Sequence, residues 1–155
     1  MRKIFLLFGV AVIMMMSSSC NTIYHKIKYS NKSIEISNNC ENEELDFKLI
    51  SLIGDKKEQT IVLNGRFINR DVNKDLRVGG NLIAYDTEGV PHNSNRSTQY
   101  EALTDKKVYF SLEIPGKAVP RKVKKMAIIA FDIDNCRVEL RNVPIIWKKI
   151  KDEKK

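Results

Sequence analysis

Histidine is nearly absent from the chain. His25 and His92 are the only two in 155 residues, and neither has an acidic or cysteine neighbour at ligand spacing, which argues against an imidazole-based metal site. Glycine is sparse too, with seven residues and no Gly-x-Ser-x-Gly elbow among them, so the usual setting of a serine nucleophile is missing. "VGGN", residues 78–81, has too few glycines and no following helical pattern for a phosphate-binding loop, and reads instead as a bulge or a flat strand entry. Asp132, Asp134 and Asn135 are oxygen donors, but the rest of a calcium loop is lacking and a turn accounts for them. These absences leave no expected catalytic residue, metal or cofactor, and the chain reads as a non-enzyme.

Long apolar runs are equally scarce. The one long apolar run, Ile4 to Met16, has 13 residues and no charge, short of the roughly 20 that span a bilayer as a helix. It follows Arg2 and Lys3 and precedes Ser17, Ser18 and Ser19, the layout of a cleaved secretory signal. The next residue is Cys20, and Ser17-Ser18-Ser19-Cys20 resembles the lipobox of bacterial lipoproteins, with Ser17 where that pattern usually has an aliphatic residue. The resemblance implies removal of residues 1–19, acylation of Cys20 and firm attachment to a membrane, since stable anchoring takes more than one acyl chain. Ordinary cleavage after Ser19 is the alternative and would leave a free thiol. Asn21, rather than the Asp that retains many lipoproteins at the inner membrane, implies the outer membrane. The lack of an acidic run after Cys20 favours its periplasmic face.

The cysteine count fits that address. Three cysteines in an exported chain leave one over, and lipidation of Cys20 uses it. Cys40 and Cys136 are then the expected disulfide of an oxidising compartment, with two free buried thiols as the alternative. Without its signal the chain has about the size of one domain, and loss of Arg2 and Lys3 lowers the net charge from +8 to +6. Residues 117–155 hold 12 basic and 5 acidic residues, against 13 and 14 in residues 20–116. Such a bias steers toward anionic headgroups, glycan or an acidic protein face, or simply solvates a tail. Nucleic acid is not an expected partner outside the cytosol. The organisation expected is a signal over 1–19, an irregular lipidated tether over 20–32, one domain over 33–147 and a basic tail over 148–155.

Within that domain, helical periodicity is missing and period-two alternation dominates, with breaks at Gly, Asn, Asp and Pro. In "KVYFSLEIP", Val108, Phe110, Leu112 and Ile114 share one face, while Tyr109, Ser111 and Glu113 share the other. Strands are expected near 33–37, 45–53, 58–69, 77–85, 107–114, 125–133 and 137–147, with a short edge strand near 98–103. Turns are expected at "GDKK", "DTEG" and "DNC". Pro144 lacks an amide donor and belongs at an edge or bulge. About seven antiparallel strands at this spacing predict an all-β immunoglobulin-like sandwich.

"NGRFIN", residues 64–69, and "NLIAYDTEG", residues 81–89, are similar to the Gly-x-Val-x-Asn and FxLYD patterns of FxLYD and telokin-like domains of envelope lipoproteins. Gly65, Phe67, Asn69, Leu82, Tyr85, Asp86 and Gly89 carry the match, with Leu82 replacing the Phe and Ala84 the Leu. The resemblance implies the same fold and transfers no functional residue. "PHNSNRSTQY", residues 91–100, is the candidate binding loop, with Pro91, His92, Asn93, Asn95 and Arg96 as contact residues. The expected function is a non-catalytic, lipid-anchored module that binds an envelope protein or glycan. An inhibitor or immunity protein against an envelope hydrolase, and a subunit of an envelope or secretion complex, are the alternatives.

Overall fold

The computed structural model describes residues 23–29, 32–40, 44–116, 119 and 123–148. Residues 1–19, expected to be a signal, Cys20, expected to be lipidated, and residues 149–155 of the expected basic tail lie outside the described residues. Among the described residues ten strands are formed: β1 (Ile23–Tyr29), β2 (Lys32–Asn38), β3 (Leu45–Asp55), β4 (Thr60–Asn69), β5 (Lys74–Asp86), β6 (Thr98–Ala102), β7 (Lys107–Pro115), β8 (Lys125–Ile133), β9 (Cys136–Pro144) and β10 (Ile146–Trp147). They build a six-stranded sheet, β1-β2-β9-β8-β5-β6, and a four-stranded sheet, β10-β3-β4-β7. The chain crosses between sheets from β2 to β3, β4 to β5, β6 to β7, β7 to β8 and β9 to β10. This is the Greek-key connectivity of an immunoglobulin-like sandwich.

Alternation puts the core between the sheets. Ile61, Leu63 and Phe67 on β4, Phe110, Leu112 and Ile114 on β7, and Ile129, Phe131 and Ile133 on β8 are all buried. Phe110 lies at the centre, with ring centroids 6.2 Å from Phe47, 6.1 Å from Phe67, 6.5 Å from Tyr100 and 5.9 Å from Phe131. These rings come from both sheets, so Phe110 joins the layers. It fits because its cross-strand partner is Gly65; a Cβ at that glycine would fall on the Phe110 ring. Gly65→Ala is therefore expected to cost about 1–3 kcal/mol by overpacking, read as a lower denaturant midpoint.

Cys40 and Cys136 form a disulfide across 96 residues, with their Cα atoms 4.8 Å apart. The β2–β9 register explains the encounter: Glu35 faces Arg141 and Asn38 faces Val138, and two further residues along each chain reach the cysteines. Asn39 holds the joint by accepting the Arg137 amide at 2.6 Å.

Three expectations about organisation change. Ile23–Tyr29, read as irregular tether, is strand β1, paired antiparallel with β2 from Ile23↔Asn38 to Tyr29↔Lys32. Its alternation of Ile23, His25 and Ile27 with Tyr24, Lys26 and Lys28 is too polar to stand out. The strand expected over 137–147 divides at Pro144: β9 ends there in the large sheet, and Ile146 and Trp147 pair in parallel with Ile53 and Gly54 of the small one. The third concerns residues 91–97.

Candidate functional site

The stretch from Pro91 to Arg96 is the returning arm of a hairpin rather than a free loop. β5 runs to Asp86, the chain turns, and Tyr85 then faces Pro91 while Leu82 faces Ser94. The pairs Val78↔Thr98 and Lys74↔Ala102 continue the same register in β6. Amides of His92 and Ser94 donate to the carbonyls of Ala84 and Leu82 at 2.7 and 3.0 Å. Pairing lapses at Gly79 and Gly80, where β5 shifts register against β8. Gly79 takes a φ of 103°, and a Cβ there would press on the Leu112 side chain and the Arg96 carbonyl. A bulge, one of the two readings of "VGGN", is thus present, and the pairing of β5 with the arm is interrupted beside it.

Asp86 closes the turn. Its Oδ1 accepts the amides of Glu88 and Val90 at 2.8 and 3.0 Å, and its Oδ2 lies 3.3 Å from His92 Nε2. Gly89 completes the turn with a φ of 80°. The other ring nitrogen of His92, Nδ1, lies 3.1 Å from the Pro115 carbonyl. Each nitrogen faces an acceptor, so a neutral ring satisfies one of the two and only the doubly protonated ring donates to both. The imidazole, 3% exposed, pins the returning arm to the ends of β5 and β7.

Burial is the largest single influence on the Asp86 carboxyl and acts to raise it, but the Val90 amide, the His92 ring and the Glu88 amide together outweigh it and hold the group below the ordinary carboxylate range. A carboxyl whose folded-state value is depressed stabilises the fold above its unfolded value of about 3.9, and that contribution is lost as pH falls through the folded value. The stability gap between wild type and Asp86→Asn should therefore be widest near neutral pH and narrow on acidification below about pH 4, as measured by urea unfolding at a series of pH values.

The pinned arm forms one wall of an open groove of about 680 Å³, lined by Asn93, Ser94, Asn95 and Arg96, by Glu58, Gln59 and Thr60, and by Glu113 and Pro115. The β3–β4 turn that supplies the second wall is itself fixed. Asp55 Oδ1 accepts the amides of Lys57 and Glu58, its Oδ2 meets Lys148 Nζ at 2.7 Å, and the Gly116 amide donates to the Gln59 carbonyl. The Lys148 hydrogen bond is the main reason that the Asp55 carboxyl lies below its ordinary range. Apart from Pro115, every lining side chain is polar, with hydroxyls and amides along the walls and two carboxylates and one guanidinium among them.

Of the five residues expected to make contacts, Asn93, Asn95 and Arg96 line the groove, Pro91 is exposed at the hairpin end, and His92 is buried beneath. Burial of His92 corrects its reading as a contact residue: its part is to hold the wall in place. Glu58, Gln59, Thr60, Glu113 and Pro115 carry no local signal, because three separate segments bring them together. Among the described residues no group of three or more His, Cys, Asp and Glu side chains is placed to hold a metal ion. The chain matches no protein-family model, no curated protein and no solved structure.

Proposed function

We propose that the protein is an envelope lipoprotein, anchored through Cys20, whose immunoglobulin-like domain is a non-catalytic module that binds a glycan in the groove between Asn93–Arg96 and Glu58–Thr60. The observation that carries this reading is the lining itself: amide and hydroxyl groups on two fixed walls suit the many hydroxyls of a sugar chain, and water-excluding apolar side chains are few. A fixed wall also spares the ordering entropy that a mobile loop would lose on binding. The FxLYD resemblance belongs to the same proposal, with Gly65 and Asp86 as the packing and turn residues of such a domain.

Two measurements test it. Cys20→Ala should move the protein from the membrane fraction to the soluble one, and an unchanged distribution rules out the anchor. Titration of the purified full chain with soluble envelope polysaccharide fragments should give saturable binding, weakened about tenfold or more by Asn95→Ala combined with Arg96→Ala, the loss of a few hydrogen bonds. Hydrolysis of the fragments, abolished by Glu58→Gln, would replace the reading with an enzymatic one. Retention of a protein from solubilised envelopes, with no glycan bound, would replace it with a protein-binding one.

A further inference from the structure

We propose that β7 is a self-association edge, joining two copies of the chain through antiparallel pairing of Lys107–Glu113 so that their four-stranded sheets become one. The proposal goes beyond the groove reading and shares only Glu113 with it. Among the described residues β7 ends its sheet, with β4 on one side and no strand on the other. The bond from the Gly116 amide to the Gln59 carbonyl fixes which backbone groups face β4. Counting back by twos, Ile114, Leu112, Phe110 and Val108 point their amides and carbonyls at β4. Those of Lys107, Tyr109, Ser111 and Glu113 point to the open side. Their side chains are exposed as well, Tyr109 to 61%.

An open edge of this length invites a strand, and the side chains say which. In a twofold antiparallel pairing centred on Phe110, Lys107 of one copy faces Glu113 of the other, Tyr109 faces Ser111, and both pairs recur by symmetry. In both of these pairs the amide and carbonyl point to the open side and are placed to exchange hydrogen bonds, while the intervening pairs, Val108 with Leu112 and Phe110 with its own copy, keep theirs on β4. Centring on Ser111 instead sets Lys107 against Pro115, which has no amide to give. Among the described residues neither Lys107 nor Glu113 makes an ion pair within its own chain, so each charge is free for the partner. The edge lysine that would repel a generic neighbour is complementary to a second copy of this strand.

The test introduces cysteines and reverses charges in the full chain, at exposed positions. Tyr109→Cys with Ser111→Cys should give a disulfide-linked dimer on a non-reducing gel. Lys107→Glu, which sets like charges opposite each other twice, should weaken dimerisation by at least about tenfold. Lys107→Glu with Glu113→Lys should restore it. Lys107 lies outside the groove, so loss of dimer in Lys107→Glu with glycan binding intact separates this proposal from the groove reading. A wild-type chain that stays monomeric at high concentration, a double reversal no better than the single one, or cross-links solely to another protein would each overturn it.

Discussion

Phe110→Ala should lower the free energy of unfolding by about 3–5 kcal/mol, the range found when buried aromatic rings are truncated. The upper part of that range is expected because the site cannot collapse. Phe110 is 3% exposed, and the cross-strand residue beneath it, Gly65, has no side chain to move into the space. The four rings around it, Phe47, Phe67, Tyr100 and Phe131, are held on β3, β4, β6 and β8. Their edge-to-face and tilted contacts are lost with the ring, adding to the transfer and cavity costs. For a domain of this size such a loss lowers the melting temperature by more than about 10 °C, measurable by calorimetry. Phe110→Leu, which keeps part of the volume, should lose less. A change below about 1 kcal/mol for the alanine variant would mean that Phe110 is not the contact that joins the two sheets, since ordinary surface changes reach half that.

The sandwich was legible because its signal is repeated in every strand: Val108, Phe110, Leu112 and Ile114 fall on one side of β7, and each such strand votes for the same layered fold. The disulfide was legible by counting. The site was only half legible. Asn93, Asn95 and Arg96 could be picked out as polar residues between strands, but "PHNSN" has low strand propensity, which masked its pairing with β5. Propensity lost there to the register set by the turn at Asp86 and to the His92 contacts. The partnership of Asp86 with His92 had a signal that spacing rules for metal ligands pass over: a buried histidine six residues after an Asp that caps a hairpin turn. Glu58 and Glu113 had none, because a groove between a turn and a strand end exists only after the sheets have packed. At Pro144 the missing amide indicated an edge or a bulge, but the transfer of Ile146 and Trp147 to the other sheet depends on Gly54. A Cβ there would strike the Trp147 ring, so the absence of a side chain on β3 is what opens the place for β10.

Reduction of the Cys40–Cys136 bond, or its removal as Cys40→Ala with Cys136→Ala, should cost about 2–5 kcal/mol, and the chain-entropy account gives about 4.7 kcal/mol for a loop near 100 residues. The loss should not spread evenly. β1 joins the sheet through β2, and β2 is held to β9 by four residue pairs, Glu35↔Arg141 to Asn38↔Val138. The disulfide closes that short ladder at one end, beside the Asn39 contacts with Arg137. Without it the β1–β2 ribbon hangs on those four pairs and the Asn39 contacts, and it should open ahead of the central strands, below the global transition. Hydrogen exchange should therefore accelerate at the amides of residues 34–38 before those of β4 or β8, and the melting temperature should fall by about 2–4 °C or more for each kcal/mol lost. An unchanged melting curve in reductant, with the thiols shown to be free, would defeat the prediction. If the chain is anchored at Cys20, as proposed, the ribbon is also where the membrane pulls on the domain. The same bond then ties the leashed end directly to β9 in the core sheet, so reduction should loosen the connection between anchor and groove while leaving the groove walls folded.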